Sequence, residues 1–518
     1  MNLSVGDRVL VGSDKGFVRY HGQVEGFSGT YIGIEWDDST RGKHDGVVKG
    51  KRYFTTTHPT GGSLVRPNLV SAGEDLETEV SRRYGSDENT DEFILGTKTV
   101  EMVGLSKGRQ KSLCALRAIV LDHMQVSHAA PHEAPLFPRC LEMNLFGNLL
   151  SRWRDVVSCL QQTPLCKELV LSANRLERID NDDLSIDSLT KSPNIRRLTL
   201  NRCNLDEYTI IRALSLFPNL EELYAVNNDL RTFGLVSSSS TILSSPIPST
   251  LTLVDLEENS IESFDEIRPL ALLPNLVKLS VARCRLSTVR LPRLGDEQQQ
   301  QGHQGVGSST PAGSSTGVAV GYAKLHTLNL KANEIRDWES IGELRLLPAL
   351  GVLYIDCDRF HAEFGMDPRE VIIAKLPQLK NLERCELSIV ERRSAEIRYL
   401  NKYSALSEER IEGERHAEDL RRLEMEHGAP VLENAKTRQL AIVKITFAHG
   451  EKCVTDRSIP TTLSVQKLID MARRLFGLSR HAPITAQLDQ EGHCIDLDNP
   501  MRQIGFYDPQ NGDVVRIR

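Results

Sequence analysis

A short basic segment between two glycines carries side chains suited to binding an anionic ligand. Gly42 and Gly46 bracket Lys43, His44 and Asp45. Glycine can adopt positive φ and lets a ligand approach the backbone closely. Five basic residues crowd this segment against the single acid Asp45: Arg41, Lys43, Lys49, Lys51 and Arg52. Guanidinium and ammonium groups in this density predict a site for carboxylates.

The elements that must position this segment are short strands separated by glycine. Residues 8–11, 16–20 and 31–36 each read as a strand, and acidic turn residues follow the third. Residues 1–75 therefore predict a small all-β barrel. Phe17, Trp36 and Phe54 lie on or beside these strands, so we expect a groove for a peptide that has acidic residues and an aromatic end.

The charge distribution supports an acidic partner for this module. Residues 1–70 contain nine Lys/Arg and seven Asp/Glu, or +2; the whole chain carries −7, which leaves −9 on the remainder. No long basic stripe with interleaved aromatic residues occurs, so a nucleic-acid partner is not expected.

Several motifs in this module, in the same order, resemble the CAP-Gly family. Its signature is Gly-Lys-Asn-Asp-Gly, which corresponds here to residues 42–46, and residues 31–37 and 62–67 are also similar to that family. CAP-Gly domains bind the C-terminal Glu-Glu-Tyr/Phe tails of α-tubulin and of end-binding proteins. The resemblance therefore implies an α-tubulin tail as the ligand.

The resemblance also assigns roles to individual residues. Lys43 would contact the tail carboxylates, while His44 and the backbone of both glycines would hold the tail's end. His44 replaces the usual asparagine, and its charge depends on pH. An alternative interpretation places Trp36 in the barrel core. The residues predicted to bind the tail are Trp36, Gly42, Lys43, His44, Asp45, Gly46 and Phe54.

A leucine-rich repeat occupies residues 115–390. The pattern L-x-x-L-x-L-x-x-N/C-x-L recurs, as in residues 195–205 and 325–335. Steps between copies are 24 to 31 residues except one of 49, which contains the Gln-, Gly- and Ser-rich insertion 295–321. Since one repeat cannot bury its own apolar face, stacking into an α/β solenoid is predicted. The ninth positions are Met124, Asn148, Asn174, Cys203, Asn228, Asn259, Cys284, Asn333 and Asp358.

The solenoid's concave face is a predicted protein-binding surface. Asparagine or cysteine at the ninth position is expected to bond free backbone groups where the strand turns. The insertion 295–321 is interpreted as a disordered loop without an evident function. Residues expected on the concave face are Thr199, Tyr224, Asp255, Lys278, Ser280 and Asn329.

Two further segments complete the chain. Residues 76–114 are interpreted as a linker, and residues 391–435 as a solvent-exposed, charged helical linker. Residues 436–518 read as strand, strand, helix, strand, strand, with Thr462 as the helix N-cap, which resembles the α+β ubiquitin-like (β-grasp) fold. The chain is thus predicted to be multidomain.

CAP-Gly, leucine-rich repeats and a ubiquitin-like domain in this order resemble the tubulin-folding cofactor E family. That resemblance implies a chaperone that binds α-tubulin, works with tubulin cofactors B, C and D, and promotes assembly and dissociation of the α/β heterodimer. Two alternatives stay open: a microtubule-binding adaptor, and an adaptor that docks on the proteasome through the ubiquitin-like domain to deliver tubulin for turnover.

Enzymatic and membrane functions are not expected. Phosphate-loop and His-Glu-x-x-His motifs are absent from the sequence, so no catalytic residues and no cofactors are predicted. The cysteines form no Cys-x-x-Cys pair, which argues against a metal site. No apolar run is long enough to span a bilayer, so we expect a protein of the cytoplasm. The resemblance to the cofactor E family implies the cytoskeleton as a further location.

Overall fold

A computed structural model of the protein has two compact units, residues 1–361 with 376–386 and residues 362–375 with 387–518. The predicted insertion 295–321 lies almost entirely outside the described residues. The structure describes residues 3–85, 92–95, 98–101, 113–179, 188–234, 247–292, 321–361, 365–407, 413–429, 442–450, 452–479, 484–490, 493–497 and 499–517.

The first unit begins with the predicted all-β module. Its strands are β1 (Arg8–Val11), β2 (Asp14–Gln23), β3 (Thr30–Trp36), β4 (Val47–Val48), β5 (Lys51–Arg52) and β6 (Gly62–Val65). Antiparallel pairing joins four of them in the order β1-β2-β3-β6, while β4 pairs with β5. Apolar side chains that alternate along the strands meet in one core: Leu3, Val9, Val18, Ile32, Ile34, Trp36 and Val70.

A short connection leads from this module into the repeats. Strand β7 (Glu74–Asp75) runs directly into helix α1 (Leu76–Tyr84), whose N-cap Asp75 accepts a hydrogen bond from the Thr78 backbone. The hairpin β8 (Glu92–Leu95) and β9 (Lys98–Glu101) follows. The segment interpreted from sequence as a linker therefore begins with ordered structure.

The repeats form the predicted solenoid, with a parallel sheet built from one short strand of each repeat. A leucine or equivalent apolar residue at the centre of each strand is buried and its two neighbours are more exposed, as the alternation in the motif requires. A final antiparallel strand ends this eleven-stranded sheet. Its strands are β10 (Ala118–Val120), β12 (Glu142–Asn144), β13 (Glu168–Val170), β14 (Arg197–Thr199), β15 (Glu222–Tyr224), β16 (Leu253–Asp255), β17 (Lys278–Ser280), β18 (Thr327–Asn329), β19 (Val352–Tyr354), β20 (Asn381–Leu382) and β21 (Cys385–Glu386).

Short helices alternate with these strands along the chain, and strand β11 (Val126–His128) pairs with β7 rather than with the large sheet. Asp206 and Asp337 cap two of the helices by accepting backbone hydrogen bonds from Thr209 and Ser340. The helices and 3₁₀ segments of the repeats are α2 (Trp153–Gln161), α3 (Glu207–Leu214), Phe264–Leu272, α4 (Trp338–Leu344) and Cys357–Arg359.

The ninth-position residues behave as the sequence predicts. Asn228 accepts the backbone N–H of Cys203 at 3.0 Å and donates to the Leu200 carbonyl at 2.9 Å. Asn259 in turn accepts the N–H of Asn228. The Cys284 thiol donates to the Leu256 carbonyl at 3.1 Å. Cysteine thus replaces the donor of the asparagine amide but not its acceptor.

The second unit contains a helical part whose charged surface is less exposed than predicted. Its helices are α5 (Pro368–Lys375), α6 (Ile389–Ser407) and α7 (Gly413–His427). The expectation of a solvent-exposed helix over residues 391–427 is wrong, because Lys375 and Asp419 form an ion pair of 3.0 Å with side chains only 3% and 7% exposed. The buried Tyr399 hydroxyl also lies 2.6 Å from His416 Nδ1. Paired charges therefore line a packed interface between the helices.

The same unit ends in the predicted β-grasp domain, with sheet order β23-β22-β26-β24-β25. Helix α8 (Val465–Phe476) buries Val465, Leu468, Ile469 and Ala472 against the sheet. Its N-cap is Ser464, not Thr462, because the Ser464 side chain accepts the Lys467 N–H. The strands are β22 (Ile442–His449), β23 (Lys452–Pro460), β24 (Ala486–Gln490), β25 (His493–Asp496) and β26 (Val514–Ile517), with a 3₁₀ turn at Ile504–Tyr507. Among the helices in the described ranges, none is long and apolar enough to cross a membrane.

Candidate functional site

The predicted Gly42–Gly46 loop is held against the end of strand β6. The backbone N–H groups of Lys43 and His44 both donate to the Gly62 carbonyl, at 2.7 and 3.2 Å, and Gly62 donates back to His44. A side chain at Gly42 would collide with the Thr60 carbonyl, and one at Gly46 (φ +97°) with the Phe54 carbonyl. Both glycines are therefore required by the close approach of neighbouring backbone, a cause that the sequence interpretation did not include.

His44 is held in one tautomer by the loop itself. Its Nδ1 accepts the Gly46 backbone N–H at 3.0 Å, so in the neutral ring the proton lies on Nε2. Burial is the main cause that lowers the pKa of His44, which favours this neutral form. With Nδ1 occupied, Nε2–H is the group that remains to donate to a ligand.

The basic residues around the loop differ in whether they are already paired. Arg41 pairs with Asp14, Lys51 with Glu25 and Arg52 with Asp45. The Arg52 hydrogen bond is also the main cause that lowers the pKa of Asp45, so Asp45 braces the loop.

Two lysines differ from this pattern. Within the described part of the chain, Lys43 and Lys49 have no acidic side chain within ion-pair distance, and both are exposed. These two cations are the ones available to an incoming carboxylate.

The two aromatic residues predicted to bind the tail lie beneath the surface. Trp36 is 4% exposed, belongs to the barrel core and donates its indole N–H to Ser63 Oγ at 2.9 Å. Phe54 is 5% exposed and contacts the His44 ring edge-on, with centroids 5.8 Å apart. Phe54 also borders an open depression of about 500 Å³ that is lined by Arg19, Glu35 and residues 55–57. Both residues thus support the loop from below.

An aromatic pair with one exposed member, missed in the sequence, lies on the same module. Phe27 is 43% exposed and its ring centroid lies 5.8 Å from that of Tyr31. Lys49 Nζ lies 4.5 Å from the Phe27 ring and the Arg66 guanidinium 4.1 Å from the Tyr31 ring. We call Phe27, Tyr31, Lys49 and Arg66 the aromatic–cation patch. Its one sequence signal was a phenylalanine in the glycine-bracketed turn 26–29, where a core residue is not expected.

The predicted concave-face residues of the solenoid fall into register. Thr199, Tyr224, Asp255, Ser280 and Asn329 pair successively across β14 to β18 and form one row. Lys278 lies in the neighbouring row. The row is polar, and hydrogen bonds between its side chains partly order it. Asn329, for example, donates to Ser280 Oγ at 3.1 Å. It is a second candidate surface for a protein partner.

A group of possible metal ligands occurs in the helical part of the second unit. Glu396, Glu426 and His427 have ligand atoms within 4.8 Å of one another. Arg392 and Arg422 already pair with the two carboxylates, so the group forms an ion-pair cluster whose charges are balanced.

Comparison with known proteins places this geometry in a family. The CAP-Gly domain model matches residues 5–70. Tubulin-specific chaperone E of Danio rerio is 30% identical over 554 residues, covering 100% of this chain and 99% of the relative. The Homo sapiens protein of the same name is 29% identical over 556 residues, covering 99% and 98%. The chain belongs to the tubulin-specific chaperone E family.

Family membership extends along the whole chain. The solution structure of the C-terminal ubiquitin-like domain of mouse tubulin-specific chaperone E is similar to the last module, at 17% identity and a TM-score of 0.15, covering 16% of this chain and 93% of that one. The relatives align with this chain from end to end, so the alignment includes the CAP-Gly module, the repeats and the last module.

Proposed function

We propose that this protein is a tubulin chaperone that binds α-tubulin and, with tubulin cofactors B, C and D, promotes assembly and dissociation of the α/β heterodimer. The names of its family members support the chaperone role. The observation that carries the binding proposal is that Lys43 and Lys49 are exposed without an acidic partner among the described residues, while Lys49 also lies against the exposed Phe27 ring. This combination suits a peptide with acidic residues and an aromatic end.

Each part of the proposed site has a distinct task. Lys43 and Lys49 attract the tail carboxylates, and Nε2–H of His44 donates a hydrogen bond to the tail. The rings of Phe27 and Tyr31 offer a face for the tail's terminal aromatic residue, while Trp36 and Phe54 keep the loop in place. The work is binding and positioning, so no catalytic residue is required.

The solenoid is proposed to hold the folded body of tubulin. The polar row from Thr199 to Asn329 lies on a continuous sheet and provides area that the small barrel lacks. The ubiquitin-like domain is proposed as a docking module, with the proteasome as one candidate partner. Deleting residues 436–518 and following tubulin turnover tests that partner. The site of action follows as the cytoplasm and the cytoskeleton.

The decisive experiment compares Lys43→Ala with Lys324→Ala, an exposed lysine in the repeats that serves as the matched control. Lys43→Ala should weaken capture of intact tubulin roughly tenfold, since one charge-assisted contact is lost. Capture of tubulin lacking its C-terminal tail should not change. Equal loss with both tubulins, or no loss with either, would contradict the proposed site. Co-pelleting with microtubules, measured in parallel, separates a chaperone from a microtubule adaptor.

A further inference from the structure

The connection between the CAP-Gly module and the repeats contains almost no free chain. Ser71 and Leu10 exchange backbone hydrogen bonds of 2.8 and 2.9 Å, which closes the barrel. Glu74, three residues later, already donates to the Gln125 carbonyl at 2.8 Å, and β7 pairs in parallel with β11. Only two residues therefore separate the last backbone bond of the barrel from the first backbone bond between this segment and the repeats.

The chain stays on the repeats after this point. Helix α1 follows β7 without a break, and Arg83 near its end pairs with Asp122 at 3.0 Å. The Tyr84 hydroxyl accepts the backbone N–H of Val120, in the first strand of the large sheet, at 2.8 Å. A hinge at this junction would have to break several of these bonds at once.

Side chains tie the two modules together on a second side. Asp7 of the barrel pairs with Arg152 of the repeats at 2.9 Å, and both side chains are about three-quarters buried. Lys15 donates its ammonium to the Gly147 carbonyl, and burial is the main cause that lowers the pKa of Lys15. Asp7 directly precedes β1 and Lys15 lies on β2, while Gly147 and Arg152 lie in the segment before α2.

A third tie leads directly toward the Gly42–Gly46 loop. Asp37 accepts two hydrogen bonds from the fully buried Arg8 guanidinium, at 2.7 and 2.6 Å, and Arg175 of the repeats approaches it at 3.9 Å. Asp37 follows Trp36 at the end of β3, and the chain runs from there into the loop. The junction and the candidate groove thus share one strand.

We infer that these contacts hold the CAP-Gly groove in a fixed orientation on the first repeats, with Asp7, Lys15 and Arg152 as positioning residues. The inference rests on the proposed function. A groove fixed in this way presents the tail site and the solenoid to one tubulin molecule together, without the entropy cost of ordering a flexible tether. This gain in affinity applies only to a ligand that contacts both the tail site and the solenoid.

The test is the full-length double variant Lys15→Glu/Arg152→Glu, which places repulsive charge on both sides of the junction. The matched control is Lys324→Glu/Lys380→Glu, which makes the same change in charge at two exposed positions in the later repeats. Affinities are measured for a peptide ending in Glu-Glu-Tyr, for intact tubulin and for tubulin lacking the tail. Peptide and tail-lacking tubulin should bind the variant as they bind the control, while intact tubulin should bind roughly tenfold more weakly.

The outcomes distinguish the inference from the proposed function. If the wild-type chain does not bind the peptide, the proposed function fails. If the peptide binds but the junction variant retains intact tubulin as tightly as the control does, the positioning role is overturned. Weaker binding of tail-lacking tubulin would also overturn it, because Arg152 would then act as a direct contact.

Hydrogen exchange on the free wild-type chain gives a readout independent of tubulin and of variant folding. The amide of Glu74, which donates to the Gln125 carbonyl of the repeats, should exchange far more slowly than in an unstructured chain. Exchange at the unstructured rate in the wild type would overturn the fixed orientation by itself.

Discussion

At the residue scale, His44 shows how one substitution in a family signature can be accommodated. The usual asparagine can accept a backbone N–H two residues later through its side-chain oxygen. Here the Nδ1 atom of His44 accepts the N–H of Gly46 in the same sense. The loop geometry is preserved, but the bond now depends on a group that can be protonated near neutral pH.

We therefore expect the loop to open as the pH falls. The pKa of His44 is lowered in the folded loop from its usual 6.5, so the open form binds the proton more readily. The stability contributed by the Gly46 bond is fully present above the unfolded pKa and is lost as the pH falls from there through the lower pKa of the folded loop. Hydrogen exchange across residues 42–50, corrected for intrinsic rates, should show weaker protection at about pH 5.5 than at about pH 7.5.

The variant His44→Asn provides the control for this pH dependence. Its amide side chain can accept the same N–H and does not titrate, so protection of the loop should be equal at both pH values. A wild-type loop that keeps its protection in acid would show that the His44–Gly46 bond does not control the loop.

At the scale of elements, the ninth-position residues explain why the repeats stack. Where each strand ends and the chain turns, some backbone N–H and C=O groups have no backbone partner. Asn228 satisfies three of them, from Cys203, Leu205 and Leu200, while 5% exposed. Buried backbone groups without partners are costly, so these side chains hold successive repeats together.

Asn228→Ala should accordingly destabilise the solenoid by about 2–4 kcal/mol, because it leaves buried donors and an acceptor unpaired. Asn194→Ala is the matched comparison. That asparagine is exposed and bonds only the Pro164 carbonyl among the described contacts, so its loss should cost less than about 0.5 kcal/mol. Urea unfolding followed by circular dichroism measures both. Similar midpoints for the two variants would show that the ladder of buried asparagines is not a major source of stability.

The helices of the second unit depend on a buried ion pair. Asp419→Leu alone should cost about 3–5 kcal/mol, since it leaves the Lys375 ammonium buried without a counter-charge. Adding Lys375→Met should recover most of that loss, because an apolar pair of similar size has no charge to desolvate. A double variant as unstable as Asp419→Leu would mean that the geometry of the pair, rather than its charge balance, holds the helices.

How far the sequence predicts these elements depends on whether their cause is local. The repeat strands follow from leucine spacing, and the β-grasp helix from its apolar face, so both were predictable. Strand β25 was missed because His493–Asp496 is too short to show an alternating pattern and is defined by pairing with β24. Exposed helices were expected over residues 391–427 because the partner of Asp419 lies 44 positions away, at Lys375.

The residues of the candidate site likewise differ in whether the sequence alone reveals them. The loop Gly42–Gly46 and its lysines stand out in the sequence because the signature is contiguous. The burial of Trp36 and the pairing of Phe27 with Tyr31 depend on how strands come together, and sequence order does not reveal them. The junction at Ser71 and Glu74 was likewise hidden, since its partners at Leu10 and Gln125 are distant in the chain.

At the scale of the whole molecule, a mildly basic first module is joined to a chain that is acidic overall. Residues 1–70 carry +2 on a chain of −7. Fields from distant acidic residues are screened beyond about 8 Å at physiological ionic strength, whereas Lys43 and Lys49 act at contact distance. Tail capture should therefore be governed by local attraction at the loop, even though the protein as a whole repels acidic partners.

This arrangement predicts a specific response to salt. Raising the salt from about 150 mM to about 500 mM should weaken binding of a peptide ending in Glu-Glu-Tyr, because screening reduces the attraction of the exposed lysines. Lys43→Ala should show a shallower dependence than Lys324→Ala, which should follow the wild type. Fluorescence anisotropy of a labelled peptide measures all three. Binding that is independent of salt would mean that the aromatic residues dominate, and that the unpaired lysines do not define the site.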